Sequence, residues 1–273
     1  MHCRRSLADD FRALGIAAGD VVMLHASLRA VGEVAGGPDE IHLALGDVLT
    51  PAGSLFMYAG CPRYVDEVGR GHLSPEQEAE ILDKLPAFDA ATARSDRSNG
   101  ALVELFRTYP GCRVNEHPAR FVVRGGSADY LFSRQPWNYP YGHDSIFERF
   151  VDLDGKILLL GSDHDNVTFL HYAEHIVNIP GKRIAVFEVP VLENGRRVWK
   201  EMKEIDTSGA GAHPNWPERF FAHIVNGYLA KTQNRGGRVG HAHCFLFEAK
   251  GLLELALAEM RFRAEQPSMP PPA

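Results

Sequence analysis

The sequence predicts an α/β fold, a three-layer α/β/α arrangement with a mixed central sheet and a late antiparallel hairpin. Short apolar runs typical of buried strands, such as VVMLHASL from Val21 and KILLL from Lys156, alternate with segments of helical periodicity. Residues 183–191 and 198–205 then alternate apolar and polar side chains on either side of Asn194-Gly195, a strong hairpin signal. Alternating strands and helices favour a sheet covered on both faces, and the hairpin adds antiparallel pairing.

The first half of the chain predicts helices and strands in regular order. A helix over residues 6–15 ends at Gly15, and a strand runs from Val21 to near His25. The loop Gly36-Gly37-Pro38 then opens a helix over 39–49, which is either a phosphate-facing helix start or a plain tight connection. Further elements are a strand at 54–60, a helix at 75–84 within a long polar excursion at 61–97, a helix at 101–109, a strand at 121–125 and helices at 127–133 and 145–153.

The second half centres on a strand at 157–160, a polar loop at 162–166 and a following helix through residue 177. Asp165 or Asn166 can cap the first turn of that helix. After the hairpin, a helix at 217–232, a strand at 243–249 and a helix at 251–262 follow. No linker divides the chain, so we expect one domain over residues 1–265 and a disordered proline-rich tail at 266–273.

Composition narrows the class of protein. Of the 273 residues, 45% are hydrophobic, enough for a large core, but no apolar run approaches the roughly 20 residues that a membrane helix needs. The N-terminus lacks an apolar signal core, so we expect a cytoplasmic protein. The four cysteines, Cys3, Cys61, Cys112 and Cys244, are scattered as free thiols and offer no metal-binding pair. A net charge of −6 makes nucleic acid a poor partner and suits a cationic small molecule.

The helix after the polar loop carries a candidate catalytic pair. Thr168, His171 and His175 are spaced three and four residues apart, and Glu174 follows His171 by three, so they share a helix face. A histidine with a carboxylate one turn away is a general-base arrangement. An isolated HxxE more often marks a partly exposed helix face whose histidine already has its hydrogen-bond partners. The segment HYAEH also matches the HxxEH pattern of certain zinc hydrolases.

Six segments in a fixed order carry a family resemblance. They are HASLRAVGEVAGG at 25–37, SNGALVELFRTYPGCR at 98–113, HP at 117–118, YGHDSIFERF at 141–150, DGKILLLGSDHDNVTFLHYAEH at 154–175 and GRRVW at 195–199. Together they resemble the antibiotic N-acetyltransferases, specifically the aminoglycoside 3-N-acetyltransferases, from about residue 6 to residue 260. No segment resembles the phosphate loop of the unrelated GNAT acetyltransferases. One departure is Phe121, where many members carry Ser.

The resemblance implies a function: acetyl-CoA-dependent acetylation of the 3-amino group of aminoglycoside antibiotics (EC 2.3.1.81), conferring resistance, without a metal. It implies His171 as the catalytic base and Glu174 as an acidic neighbour that contacts the drug. The implied coenzyme-binding residues are Ser27, Leu28, Arg29, Ala30, Val31, Gly32, Val34, Ser98 and Gly100. The chemistry adds the hydroxyl of Thr168, or backbone amides after His25, as candidate donors to the thioester oxygen. The acidic residues assigned to drug binding are Asp66, Glu67, Asp163, Glu174 and Asp206.

The reacting amine must lose a proton before it attacks a thioester, and a neutral imidazole can accept that proton. Glu174 would either hold the ring of His171 or bind an adjacent ammonium group. Because no cysteine lies beside a candidate base in the sequence, we expect direct transfer within a ternary complex rather than through an acyl-enzyme. The alternatives left open are a coenzyme A-binding relative that acts on a non-antibiotic amine, and either a monomer or a homodimer.

Overall fold

The computed structural model describes residues 1–60, 68, 73–206 and 213–266. The strands are β1 Val21–Ala26, β2 Ser54–Tyr58, β3 Arg113–Val114, β4 Phe121–Gly125, β5 Lys156–Leu160, β6 Ile184–Glu193, β7 Arg196–Ile205, β8 Gly237–Val239 and β9 Ala242–Glu248. The helices are α1 Arg4–Ala13, α2 Leu28–Val31, α3 Asp39–Leu49, α4 Pro75–Lys84, α5 Ala101–Thr108, α6 Ala128–Leu131, α7 Ile146–Asp152, α8 Leu170–Ile176, α9 Phe220–Thr232 and α10 Ala249–Ala264.

The main sheet is mixed, as the sequence predicts. Its strand order is β3-β4-β2-β1-β5-β9-β8. The central strands β2, β1 and β5 are parallel, whereas β4, β3, β9 and β8 are joined to them in antiparallel pairs. Because both faces of the parallel strands are covered, their sequences are continuously apolar rather than alternating.

The two faces of this sheet bury separate apolar clusters, which confirms the three predicted layers. Val22 and Leu24 of β1 pack with α1, α3 and α5 on one face. Met23, between them in the sequence, packs on the other face with α7, α8, α9 and α10. Successive side chains of a strand point to opposite faces, so one short apolar run supports both layers.

The predicted hairpin is a separate two-stranded sheet, β6–β7. Its turn at Asn194 and Gly195 has φ of 50° and 75°, the left-handed pair that a tight two-residue hairpin turn requires. The buried face of the hairpin, which includes Phe187, packs against Phe88 and Trp137. The amide of Phe88 also donates to the carbonyl of Pro190 at 2.7 Å, which ties the segment after α4 to the hairpin.

Several predictions are refined or lie beyond what the structure describes. The short strands β3 and β8 were not predicted. The predicted tail at 266–273 lies outside the described residues except for Gln266, whose carbonyl accepts a hydrogen bond from Asn215. No helix among the described residues is long and apolar enough to cross a membrane.

Candidate active site

A cavity lies where the three parallel strands end together. Ala26, Tyr58 and Leu160 are the last residues of β1, β2 and β5, and the carboxyl ends of parallel strands are where α/β sheets bind ligands. The cavity measures about 270 Å³. Its lining residues are Leu24, His25, Ala26, Met57, Tyr58, Ser98, Asn99, Gly100, Ser162, Asp165, Asn166, Thr168, His171 and Phe221.

The loop between β5 and α8 differs from its predicted form. A 3-10 turn forms over His164–Asn166, begun by the carboxylate of Asp163, which accepts from the amide of Asp165 at 2.8 Å. The helix α8 starts only at Leu170. The prediction that Thr168 lies on this helix is therefore wrong, although Thr168 does line the cavity together with His171. The polar turn residues satisfy their own loop amides and so delay the helix start.

His171 and Glu174 form a close pair at the edge of the cavity. His171 Nδ1 and Glu174 Oε2 are 2.7 Å apart. The carboxylate side chain is only 6% exposed, whereas the imidazole is 30% exposed. A carboxylate oxygen accepts, so Nδ1 carries the hydrogen and Nε2 keeps the lone pair of the neutral ring. The ring of Phe221 packs edge-on against the imidazole, with centroids 4.9 Å apart, which further fixes its orientation.

His175 has a structural position. Its Nδ1 donates to the carbonyl of His171 at 2.6 Å, and burial lowers its pKa to about 3, so the ring is neutral. Lys182 Nζ donates to three carbonyls at the end of α8, including that of His175 at 2.7 Å. Both contacts hold α8 in place rather than line the cavity. Among the residues the structure describes, no three His, Cys, Asp or Glu side chains are grouped to hold a metal ion.

The predicted coenzyme-binding residues occupy two neighbouring segments. Ser98 and Gly100 line the cavity directly. The amide of Ser27 donates to the carbonyl of Leu160 at 2.9 Å, which places the start of α2 beside the end of β5. The remaining predicted residues form α2 and the turn after it: Leu28, Arg29, Ala30, Val31, Gly32 and Val34.

The turn after α2 is held by the N-terminus of the chain. The amide of His2 donates to the carbonyl of Glu33, and the amide of Ala35 donates to the carbonyl of His2, both at 2.8 Å. The imidazole of His2 packs edge-on against that of His241, with centroids 4.5 Å apart. A Cβ on Gly32, at φ 88°, would approach His241 Nδ1 to 2.7 Å, so this close fit requires glycine.

The predicted drug-binding acids are not brought together by the described residues. Asp66 and Glu67 lie outside them. Asp163 forms an ion pair with Arg219 and does not line the cavity. The pKa of its carboxyl group is lowered mainly by the hydrogen bond from the amide of Asp165, and further by Arg219. Asp206 lies 4.0 Å from Arg183, with which it also shares a backbone hydrogen bond. Of the acidic residues in the part of the chain that the structure describes, Asp165 lines the cavity.

His25 and Tyr58 are among the cavity residues to which no role was assigned from the sequence. His25 is the next-to-last residue of β1 and Tyr58 is the last residue of β2, and burial lowers the pKa of His25 to about 4. The hydroxyl of Tyr58 is 2.8 Å from that of Tyr141. Their place at the ends of apolar runs is the sequence signal for both, since strand ends supply binding residues in this fold class.

Residues 23–261 match the family model described as aminoglycoside 3-N-acetyltransferase. The chain belongs to this acetyltransferase family. Aminoglycoside N(3)-acetyltransferase III of Pseudomonas aeruginosa is 37% identical over 266 residues, covering 96% of this chain and 94% of that protein. Both the predicted family and the enzyme class are thereby confirmed.

Solved structures of named acetyltransferases share the fold. AAC-IIIb, in a binary complex with CoASH, superimposes with a TM-score of 0.87 and 37% identity, covering 98% of this chain and 99% of that one. AAC-VIa, bound to sisomicin, gives a TM-score of 0.87 and 34% identity, covering 97% and 99%. The predicted α/β class is confirmed by these two matches, which extend across nearly the whole length of each chain.

Proposed function

We propose that this acetyltransferase transfers the acetyl group of acetyl-CoA to the 3-amino group of an aminoglycoside, with His171 as the general base. The family supports the reaction. One similar structure contains CoASH and another contains sisomicin, so relatives with this fold bind both kinds of ligand. The net charge of the chain, −6, also favours a polycationic acceptor.

The observation that carries the assignment of the base is the buried contact between Glu174 and His171 Nδ1. Because Glu174 occupies Nδ1, the nitrogen left to accept a proton is Nε2, on a ring that lines the cavity. When Nε2 takes the proton, the ring becomes a cation 2.7 Å from a buried carboxylate, which stabilises the charged form. This geometry favours the ring-holding role for Glu174 over contact with the drug.

The chemical steps balance with these residues. The substrate ammonium gives one proton to His171 Nε2, and its nitrogen lone pair attacks the thioester carbonyl carbon. The carbonyl electron pair moves to oxygen, forming a tetrahedral intermediate, and returns as the C–S bond breaks and coenzyme A leaves as a thiolate. The nitrogen loses a second proton to become an amide. One of the two protons ends on the thiolate, giving CoASH, and the other goes to solvent.

The described thiols support direct transfer without an acyl-enzyme. Burial raises the pKa of Cys112 and of Cys244 to about 11, so neither is a ready thiolate, and neither lines the cavity. Cys3 lies at the start of α1. Cys61 lies outside the described residues, so Cys61→Ala is the variant that tests it. Loss of turnover in a folded Cys61→Ala protein would contradict direct transfer.

His171→Ala tests the base directly. With acetyl-CoA and sisomicin, thiol release should fall about 10²- to 10⁴-fold in kcat, the usual contribution of a positioned base. His143→Ala is the matched control, since His143 also pairs with a glutamate, Glu148, at 2.9 Å, but lies outside the cavity. Less than a tenfold loss for His171→Ala, or equal resistance of a susceptible host carrying either variant, would overturn the assignment.

A further inference from the structure

His25 lines the cavity, and the steps above give it no task. Along β1, Leu24 packs toward α1, α3 and α5, and Met23 packs toward α7–α10. By this alternation His25 lies on the same face as Met23, which is the face covered by α8. In the register of the sheet it is paired with Leu159 of β5, close to the loop that leads to His171. His25 and His171 therefore line one cavity from the same side of the sheet.

The ring of His25 is an unusual group to leave at this position. Its Nε2 is buried and has no hydrogen-bond partner among the residues the structure describes. Buried polar atoms usually have a partner. Several other described side chains also leave one without a partner, but His25 is the one among them that lines the cavity, where a ligand can supply it. Burial lowers the pKa of His25 to about 4, so near neutral pH the ring is uncharged and carries one N–H.

His25 lies close to both segments implied for coenzyme A. Ala26 separates it from Ser27, where the segment implied for coenzyme A begins. A Cβ on Gly100, in the second such segment, would lie 3.6 Å from the carbonyl oxygen of Ala26. His171 lines the same cavity. A hydrogen-bond donor on His25 would therefore belong to the cavity in which, under the proposed function, the thioester and the attacking amine meet.

We infer that His25 donates a hydrogen bond from Nε2 to the carbonyl oxygen of the acetyl thioester and stabilises the negative charge that develops there. This inference rests on the proposed function. The proton stays on His25 throughout: the C=O electron pair moves to oxygen on attack and returns when the thiolate leaves. A neutral imidazole suits this task, because it polarises a carbonyl without protonating it. His25 and His171 thus divide the chemistry, one donating to oxygen and the other accepting from nitrogen.

Two substitutions at His25 separate the effect of its hydrogen-bond donor from the effect of its ring shape. His25→Phe keeps a ring but removes the donor, and His25→Gln restores an amide N–H at similar reach. We expect kcat to fall about 10²- to 10³-fold in His25→Phe, the usual loss for one oxyanion donor, and less than about tenfold in His25→Gln. The KM for acetyl-CoA should change by less than about threefold in both. A folded His25→Phe enzyme with kcat within about threefold of wild type would overturn the inference.

A spectroscopic readout needs no turnover. In the wild-type complex with ¹³C-carbonyl acetyl-CoA and no acceptor, the infrared carbonyl band should shift to lower wavenumber than in solution, and His25→Phe should abolish the shift. An unshifted band in the wild-type complex overturns the inference, whether or not His25→Phe folds. Absence of acetyl transfer by the wild type would instead overturn the proposed function, so the two failures are distinguishable.

Discussion

Glu174→Gln separates the two roles that its position next to His171 allows. The amide keeps the size of the side chain and can still accept from Nδ1, but it cannot balance the positive charge of a protonated imidazole. Lys182 bonds to the main-chain carbonyl of Glu174 rather than to its carboxylate, so the end of α8 should be unaffected. We therefore expect a folded variant whose defect lies in the chemical step.

The size of the defect follows from the contact itself. A hydrogen bond to a charged group contributes about 1.5–3 kcal/mol, and Glu174 is nearly buried whereas His171 is partly exposed, which places this one near 2 kcal/mol. At about 1.36 kcal/mol per factor of ten, kcat should fall roughly 30-fold, within a range of about 10- to 160-fold. The KM for the aminoglycoside should change little, because the carboxylate is turned toward the ring.

The assay is steady-state thiol release at saturating acetyl-CoA with varied aminoglycoside. Glu148→Gln is the control, since Glu148 pairs with His143 outside the cavity. A Glu174→Gln enzyme with unchanged kcat and a raised KM for the aminoglycoside would refute the ring-holding role and show that Glu174 binds a substrate ammonium.

Gly161→Ala should raise the KM for acetyl-CoA and lower the melting temperature, because its Cβ would lie 2.4 Å from that of Ala30 in α2. Gly195→Ala is the control, because Gly195 also has a positive φ, where a side chain costs about 1–2 kcal/mol, but no atom lies within 4 Å of its added Cβ. Equal kinetics in the two variants would contradict the clash with Ala30. Acid should destabilise the fold through His25, His117 and His175, whose pKa values burial lowers to about 4, about 4 and about 3. The unfolded chain binds their protons first as pH falls below about 6.5, so the free energy of unfolding should drop by up to about 4 kcal/mol per pH unit between 6.5 and 4, and urea denaturation showing no drop would refute this.

The fold was predictable wherever burial shapes the sequence over several residues. Strands β1, β2 and β5 are continuous apolar runs because helices cover both faces of the sheet. The hairpin β6–β7 was predictable from the alternation of apolar and polar side chains and from the turn residues Asn194-Gly195. The strands β3 and β8 are two and three residues long. Their pairing depends on neighbouring strands rather than on a local pattern, which is why the sequence alone did not reveal them.

The site was predictable only in part, for a related reason. The contact between His171 and Glu174 follows from helical spacing, which is a local property. The position of His25 in the cavity follows from the strand order β2-β1-β5, which decides which strand ends meet and which the sequence does not specify. The start of α8 was misplaced because turn residues such as Asp163 bind loop amides in competition with the helix.

The pairing of His2 with the turn after α2 has a practical consequence for handling the protein. Met1 is 86% exposed, and the next residue is already hydrogen-bonded to the wall implied for coenzyme A. An affinity tag fused ahead of Met1 would begin one residue from that turn, whereas a tag after Ala273 would be separated from the last described residue, Gln266, by seven residues of sequence. Enzyme purified by a carboxyl-terminal tag is therefore the better standard for comparing Michaelis constants.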